Sequence, residues 1–271
     1  ADAAGIAMNL DDFDSARDIP TLLAVSPNGP WGIQDVWAAG GMPAVLKQMQ
    51  THLDTSVMTV TGETLQATLD SAIVSNEEVI PTLENAYRGS AGIAVLKGNL
   101  APEGSVIKAS GVHESMLVCS GPAHCFNSEE DALIAINEDK IQQGEIVVLR
   151  YQGPKGSPGM PEMLGATIAL KNKGLSQSAL ITDGRFSGAT SGPCVGHICP
   201  EAYDNGVIAL IEDGDTIEID IPQHSLTLLV SDEELAIRRD RLVPVEKDVP
   251  AGFMRRYRKH VGPASEGAIL G

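Results

Sequence analysis

Between residues 93 and 230 the sequence breaks into short apolar runs, most of them set apart by Gly, Pro, Asn or Asp. They are Ile93 to Leu96, Ser105 to Ala109, Met116 to Cys119, Ile146 to Tyr151, Ala179 to Thr182, Val207 to Ile211, Thr216 to Ile221 and Leu226 to Val230. Runs this short have the length of strands rather than of buried helices. Thr216 to Ile221 alternates, with Ile217, Ile219 and Ile221 on one face and Thr216, Glu218 and Asp220 on the other, the pattern of a half-buried strand. Asp213-Gly214 before it is a hairpin signal. Helices interrupt the strands. Ser128 precedes EEDALIAI with Asp131 three residues on, and Ser231 precedes DEELAIRR with Glu234 three residues on, both N-cap patterns. Many short strands must dispose of their edges, so the expectation is a mixed α/β chain whose strands close into a barrel or stack as a sandwich, decorated by helices.

The first 65 residues differ in texture. They read as helical and loop-rich, punctuated by Pro20 and by SPNGP at Ser26 to Pro30. Gly40-Gly41-Met42-Pro43 opens AVLKQMQ, with proline near a helix start where its missing N–H costs little. Of the 271 residues 43% are hydrophobic, ample for a sizeable core. No apolar stretch approaches the ~18 residues that cross a membrane. The start ADAAGIAMNLDDFD lacks the basic and apolar regions of a secretion signal and an initiator Met, as expected of a processed product or a piece of something longer. Asp and Glu number 36 against 19 Lys and Arg, a net charge of −17. A field of that sign repels nucleic acid and anionic membranes, so neither is expected as a partner. The basic cluster Arg255-Arg256-Tyr257-Arg258-Lys259 reads as a solvated helix face. Four cysteines make no disulfide scaffold, and reduced thiols in a cytoplasmic location are the expectation.

Two loops carry candidate chemistry. YQGPKGSPGMPEML, Tyr151 to Leu164, reads as a strand end, a Gly/Pro loop and a helix opened by Pro161-Glu162 and closed at Gly174. Glu162 in the first turn either favours the helix dipole or ligates a hard cation. ITDGRFSGATSGPCVGHICPEA, Ile181 to Ala202, places Ser187 between Gly184 and Gly188 just past a strand. Glycines there let the backbone turn sharply and a ligand come close, although Gly, Ser and Thr also make ordinary loops. A serine needs activation to act as base or nucleophile, and Asp183 and Arg185 lie close in sequence. Phe186 directly before Ser187 excludes the hydrolase elbow. Cys194, His197 and Cys199 form C-x-x-H-x-C, which matches no standard zinc pattern. Zinc there stays an alternative to thiols used as small apolar residues. Cys119 and Cys125 are too far apart for a cluster motif. His113, His124 and His224 read as structural.

Five ordered segments carry a resemblance: GGMPAVLKQM, GNLAPEGSVIKASGV, GPAHCFNSEEDALIAI, GPKGSPGMPEML and ITDGRFSGATSGPCVGHICPEAYDNGVIALIEDGDTIEIDIP. From about Asp11 to Ala268 the chain resembles the dihydroxy-acid dehydratase / phosphogluconate dehydratase family, with the dihydroxy-acid branch nearer than the sugar-acid branch. The resemblance implies a hydro-lyase that converts 2,3-dihydroxy acids to 2-keto acids, in branched-chain amino acid biosynthesis for the nearer branch. It implies Ser187 as the base and Glu162 as one Mg²⁺ ligand. It implies Mg²⁺ and an iron–sulfur cluster as cofactors of the complete enzyme. Family members are about twice this long, and their cluster cysteines and another acidic Mg²⁺ ligand lie in an N-terminal α/β domain. None of Cys119, Cys125, Cys194 and Cys199 matches a cluster cysteine. The chain thus resembles the C-terminal part only: residues 1–65 as the tail of the N-terminal α/β domain with its linker, and 66–271 as a β-barrel domain of about eight strands with flanking helices. The implied partners are the missing N-terminal domain, a small dihydroxy acid, and further copies of the chain drawn together by apolar surface left bare. By itself the chain is implied to be inactive. A sugar-acid dehydratase and a barrel module without catalysis stand as the other readings.

Overall fold

The run Ile146-Val147-Val148-Leu149 shows what kind of sheet this chain builds. In the computed structural model, which describes residues 1–243 and 245–271, Ile146 and Val148 enter one hydrophobic core and Val147 and Leu149 enter another. Strand side chains alternate between faces, so an unbroken apolar run fits a strand buried on both sides. Ala179-Leu180-Ile181 repeats the arrangement, with Leu180 alone on the second face.

The chain forms two compact units, residues Ala1–Ser15 with Ile93–Gly271, and Ala16–Gly92. The helices are α1 (Leu10–Asp14), α2 (Ile33–Ala38), α3 (Gly41–Gln48), α4 (Leu65–Ser71), α5 (Glu129–Asn137), α6 (Leu164–Asn172), α7 (Asp232–Arg241) and α8 (Phe253–His260). The strands are β1 (Ala94–Leu96), β2 (Gly104–Ile107), β3 (Val118–Phe126), β4 (Ile146–Leu149), β5 (Ala179–Thr182), β6 (Cys194–Cys199), β7 (Thr216–Asp220) and β8 (Ser225–Leu228). In the smaller unit α2 and α3 pack on a core of Leu22, Val36, Ala44, Val45, Val79 and Ile80. Among the described residues no helix is long and apolar enough to cross a membrane.

The larger unit is a single eight-stranded sheet in the order β1-β2-β6-β5-β4-β3-β7-β8. β3, β4, β5 and β6 run parallel in turn, and the flanking pairs are antiparallel. The long strand β3 serves both kinds: Val118–Pro122 pairs with β7 and Ala123–Phe126 with β4. The sheet curls until its two edges meet. Lys97 N donates to His224 O and Leu226 N to Lys97 O, both at 2.9 Å. Gly98 is required at this seam, because a Cβ there would stand 2.1 Å from the Leu226 carbonyl oxygen. The result is a nearly closed barrel of mixed α/β class, as expected. Its interior holds Leu96, Ile107, Ile181, Val195, Ile217 and Leu226, while α5 and α6 cover the parallel strands from outside around Ile136, Leu149, Met163 and Leu180.

The caps stand where the sequence puts them. Ser128 Oγ accepts from Asp131 N at 3.1 Å and Ser231 Oγ from Glu234 N at 3.2 Å. Two elements differ. Val207–Leu210 is a 3₁₀ helix, not a strand, and Cys194–Cys199 is the strand that completes the eight. A strand needs neighbours to satisfy its carbonyls, and here arginines do so instead. Arg150 Nη1 donates to Ala209 O and Ile211 O, at 3.2 and 2.8 Å, and Arg238 Nη1 to Leu210 O at 3.1 Å. Asp213-Gly214 consequently turns from this helix into β7 rather than joining two strands. The basic cluster on α8 is not wholly solvated either: Arg258 lies 4.8 Å over the Tyr203 ring and donates to Lys155 O, Gly156 O and Lys247 O.

Candidate functional site

β4 and β5 are parallel neighbours, so the loops that follow them leave the same edge of the sheet, the usual place for a ligand crevice beside parallel strands. The first loop leads to Glu162 and the second to Ser187. They meet. Glu162 and Arg185 form a parallel bridge, Met163 N donates to Arg185 O at 2.8 Å, and Arg185 Nε donates to Met160 O at 2.6 Å. The two candidate residues, distant in sequence, thus lie on paired segments, with Ser187 two residues beyond the Glu162 partner.

Glu162 does not occupy the first turn of a helix. α6 begins at Leu164 with Met163 as its N-cap, so the carboxylate precedes the helix and belongs to the loop bridge. It is exposed, and among the described residues it takes no hydrogen bond or ion pair. That leaves both oxygens free for a hard cation. It is one ligand and not a site: no group of three or more His, Cys, Asp or Glu side chains is gathered for a metal among the described residues.

Ser187 is half-buried. Its Oγ accepts from Ala189 N at 3.2 Å and its carbonyl from Thr190 N at 3.0 Å, which folds the loop into a tight turn with the hydroxyl at its start. The Lys108 ammonium donates to the Gly188 carbonyl, so a fixed positive charge stands beside the serine; burial lowers the Lys108 pKa. Phe186 meets His197 edge-on with centroids 6.4 Å apart. Burial, and then the Arg185 charge, lower the His197 pKa. The Thr190 hydroxyl is buried, 4% exposed, with no hydrogen-bond partner among the described residues. A buried orphan costs about 1–3 kcal/mol, and this one sits in the Ser187 turn. Sequence reasoning missed Lys108 and Thr190. Lys108 reaches the loop across 80 residues, and a threonine among glycines reads as ordinary loop.

Asp183 is fully buried and serves the backbone. It accepts from Tyr151 N at 3.0 Å, Gln152 N at 2.8 Å and Ala202 N at 2.8 Å. Burial raises its pKa against these three bonds. The cysteines are scattered. Cys194 packs in the helix-side core, while Cys199 pairs with Gly104 at the far end of β6. Burial pushes the thiols of Cys119 and Cys199 up to about 11 and that of Cys125 to about 12. His124 stacks on Phe126 and His224 bonds the Val95 carbonyl, which are structural roles.

The sequence model described as dihydroxy-acid/6-phosphogluconate dehydratase C-terminal matches residues 78–268, and its N-terminal counterpart matches residues 1–68. Curated relatives named dihydroxy-acid dehydratase include one from Methanococcoides burtonii, 48% identical over 98% of this chain and 49% of its own length. Another, from Methanothrix thermoacetophila, is 49% identical over 98% of this chain and 50% of its own. A third, from Caldanaerobacter subterraneus subsp. tengcongensis, is 48% identical over the whole of this chain and 49% of its own. The chain spans about half the length of the curated relatives it matches. It belongs to the dihydroxy-acid/6-phosphogluconate dehydratase family.

Proposed function

We propose that this chain supplies the proton-abstracting side of a dehydratase acting on 2,3-dihydroxy acids, with Ser187 as base and Glu162 as one Mg²⁺ ligand. The observation that carries the reading is the Glu162–Arg185 bridge, which sets a free carboxylate beside the serine turn. The names of the relatives support the substrate class, and we propose branched-chain amino acid synthesis as the corresponding role.

Ser187 Oγ, ionised, takes the proton from the carbon next to the substrate carboxylate. The C3–O bond breaks as the C2–C3 double bond forms, the departing hydroxyl takes back the proton held by Ser187 and is released as water, and the enol tautomerises to the 2-keto acid. A serine alkoxide needs nearby positive charge, and Lys108 at the Gly188 carbonyl contributes one. Magnesium held by Glu162, with ligands from outside this chain, would neutralise charge building on the substrate oxygens. The four cysteines do not fit an iron–sulfur cluster: they are dispersed, and burial keeps three of them protonated with pKa values of about 11 to 12. Any cluster would take its ligands elsewhere, so no step is assigned to it. The N-terminal model's match to residues 1–68 supports residues 1–65 as the tail of an N-terminal α/β domain and 66–271 as the barrel domain.

The test is keto-acid formation from 2,3-dihydroxyisovalerate, without oxygen and with Mg²⁺, by the chain alone and by the chain completed with the N-terminal half that its relatives carry. Turnover only by the completed protein supports the reading. Turnover by the chain alone would overturn the placement of the remaining ligands, and none in either sample would overturn the substrate class.

A further inference from the structure

Two buried carboxylates stand behind the site loops without touching the candidate base or metal ligand. Asp183 is 0% and Glu201 is 3% exposed. Glu201 Oε1 accepts from Lys155 N at 2.8 Å and Oε2 from Gly156 N at 2.7 Å, in the middle of the loop that runs on to Glu162. Asp183 grips the start of the same loop at Tyr151 and Gln152, and also Ala202, the residue after Glu201. The grip is close. A Cβ on Gly153 would come within 2.5 Å of Glu201 Oε2.

We propose that Glu201 and Asp183 are positioning residues for this site, a buried pair that holds the Glu162 loop in register with the Ser187 turn through four backbone N–H groups of that loop, with Ala202 N as a fifth that ties Asp183 to the segment carrying Glu201. The inference rests on the reading of Ser187 and Glu162 given above. Its chemistry is that a carboxylate offers two acceptor oxygens to paired N–H donors, whereas an acid or amide offers one and turns a donor toward the other. Position matters because small displacements of a reacting group cost large factors in rate.

Burial raises the Glu201 pKa to about 7, opposed by the Lys155 and Gly156 bonds and assisted by the charges of Asp183 and Asp204. The other groups facing the pair are Lys155, ion-paired to Asp204 at 2.7 Å, the Cys199 thiol, Lys247 near Asp183, and Arg258, whose guanidinium holds the Lys155 and Gly156 carbonyls. Because the folded pKa lies above the usual carboxylate value, protonation of Glu201 favours the folded state. As pH falls through about 7 global stability is therefore not lost through this group, while the loop loses a full acceptor. Activity and stability part company there.

The experiment uses the catalytically competent protein, reading kcat and KM from pH 6 to 8.5, melting temperature, and amide exchange of Tyr151–Met160. In the wild type, kcat falls about tenfold per pH unit below about 7 without a fall in melting temperature, and exchange at Lys155 and Gly156 rises in parallel beyond its intrinsic pH dependence. Glu201→Gln lowers kcat at pH 8 about tenfold, leaves KM within twofold, and abolishes the acid limb; Asp183→Asn adds loss of protection at Tyr151 and Gln152. An acid limb that persists in Glu201→Gln, or unchanged exchange in the loop, overturns the proposal. The wild-type exchange profile decides the matter even if a variant does not fold. Ser187→Ala separates the two readings: full activity there overturns the assignment of the base, while the exchange data still judge the carboxylate pair.

Discussion

Ser187 was legible because glycines frame it inside a long distinctive segment, and Glu162 because Pro161 and a glycine-rich loop precede it. Their proximity was not legible, since the Glu162–Arg185 bridge depends on two loops leaving adjacent parallel strands. Lys108 and Thr190 carry no local signal at all. Two predictions belong to this scale. Glu162→Gln is expected to leave the melting temperature within 1–2 °C, as exposed substitutions do, while raising the Mg²⁺ concentration for half-maximal activity at least tenfold; an unchanged Mg²⁺ requirement removes it as a ligand. The thiols of Cys119, Cys125 and Cys199, held near 11 to 12, stay largely unalkylated by iodoacetamide at pH 8 until urea unfolds the chain. Rapid labelling of the native chain would show that burial does not govern them.

Among the elements, strand composition told more than strand count. IVVL is uniformly apolar and ALIT is apolar up to Thr182 because both faces are buried, and TIEID alternates because one is not, so these strands could be read directly. VIALI has the same composition but folds as a 3₁₀ helix, because Arg150 and Arg238 take up its carbonyls from distant parts of the chain. CVGHIC hides a strand behind Gly, His and two cysteines that pack as small apolar groups. Arg238 is the side chain to remove. It also pairs with Asp215, at 3.1 Å from Nη2, and with Glu234 at 2.9 Å. Arg238→Ala strands a nearly buried carboxylate and a carbonyl and is expected to cost roughly 3 kcal/mol, against about 1 kcal/mol for the Ser128→Ala cap loss, both read from urea unfolding. Equal costs would mean that the 3₁₀ segment holds itself.

The whole molecule leaves apolar surface uncovered in its smaller unit. Trp37 is 81%, Ile73 74%, Ile33 67% and Met42 59% exposed, more than isolated surface residues explain. With a chain about half the length of its relatives, the proposed occupant is their N-terminal half. Adding that half is expected to shift Trp37 fluorescence to shorter wavelength, with Trp37→Ala weakening the association; an unchanged spectrum would direct attention to self-association. The broad division, a helical start and a barrel beyond, was visible in sequence texture. The incorporation of residues 1–15 into the barrel unit was not, because it rests on contacts such as Lys97 with Asp11 at 2.6 Å. The central claim is that this chain carries the base. Its most direct measurement is kcat for keto-acid formation by the completed protein with and without Ser187→Ala. The account predicts a fall of about 10²–10⁴-fold, the range of general-base catalysis, with unchanged melting temperature and little change in KM. A kcat within twofold of wild type would contradict it.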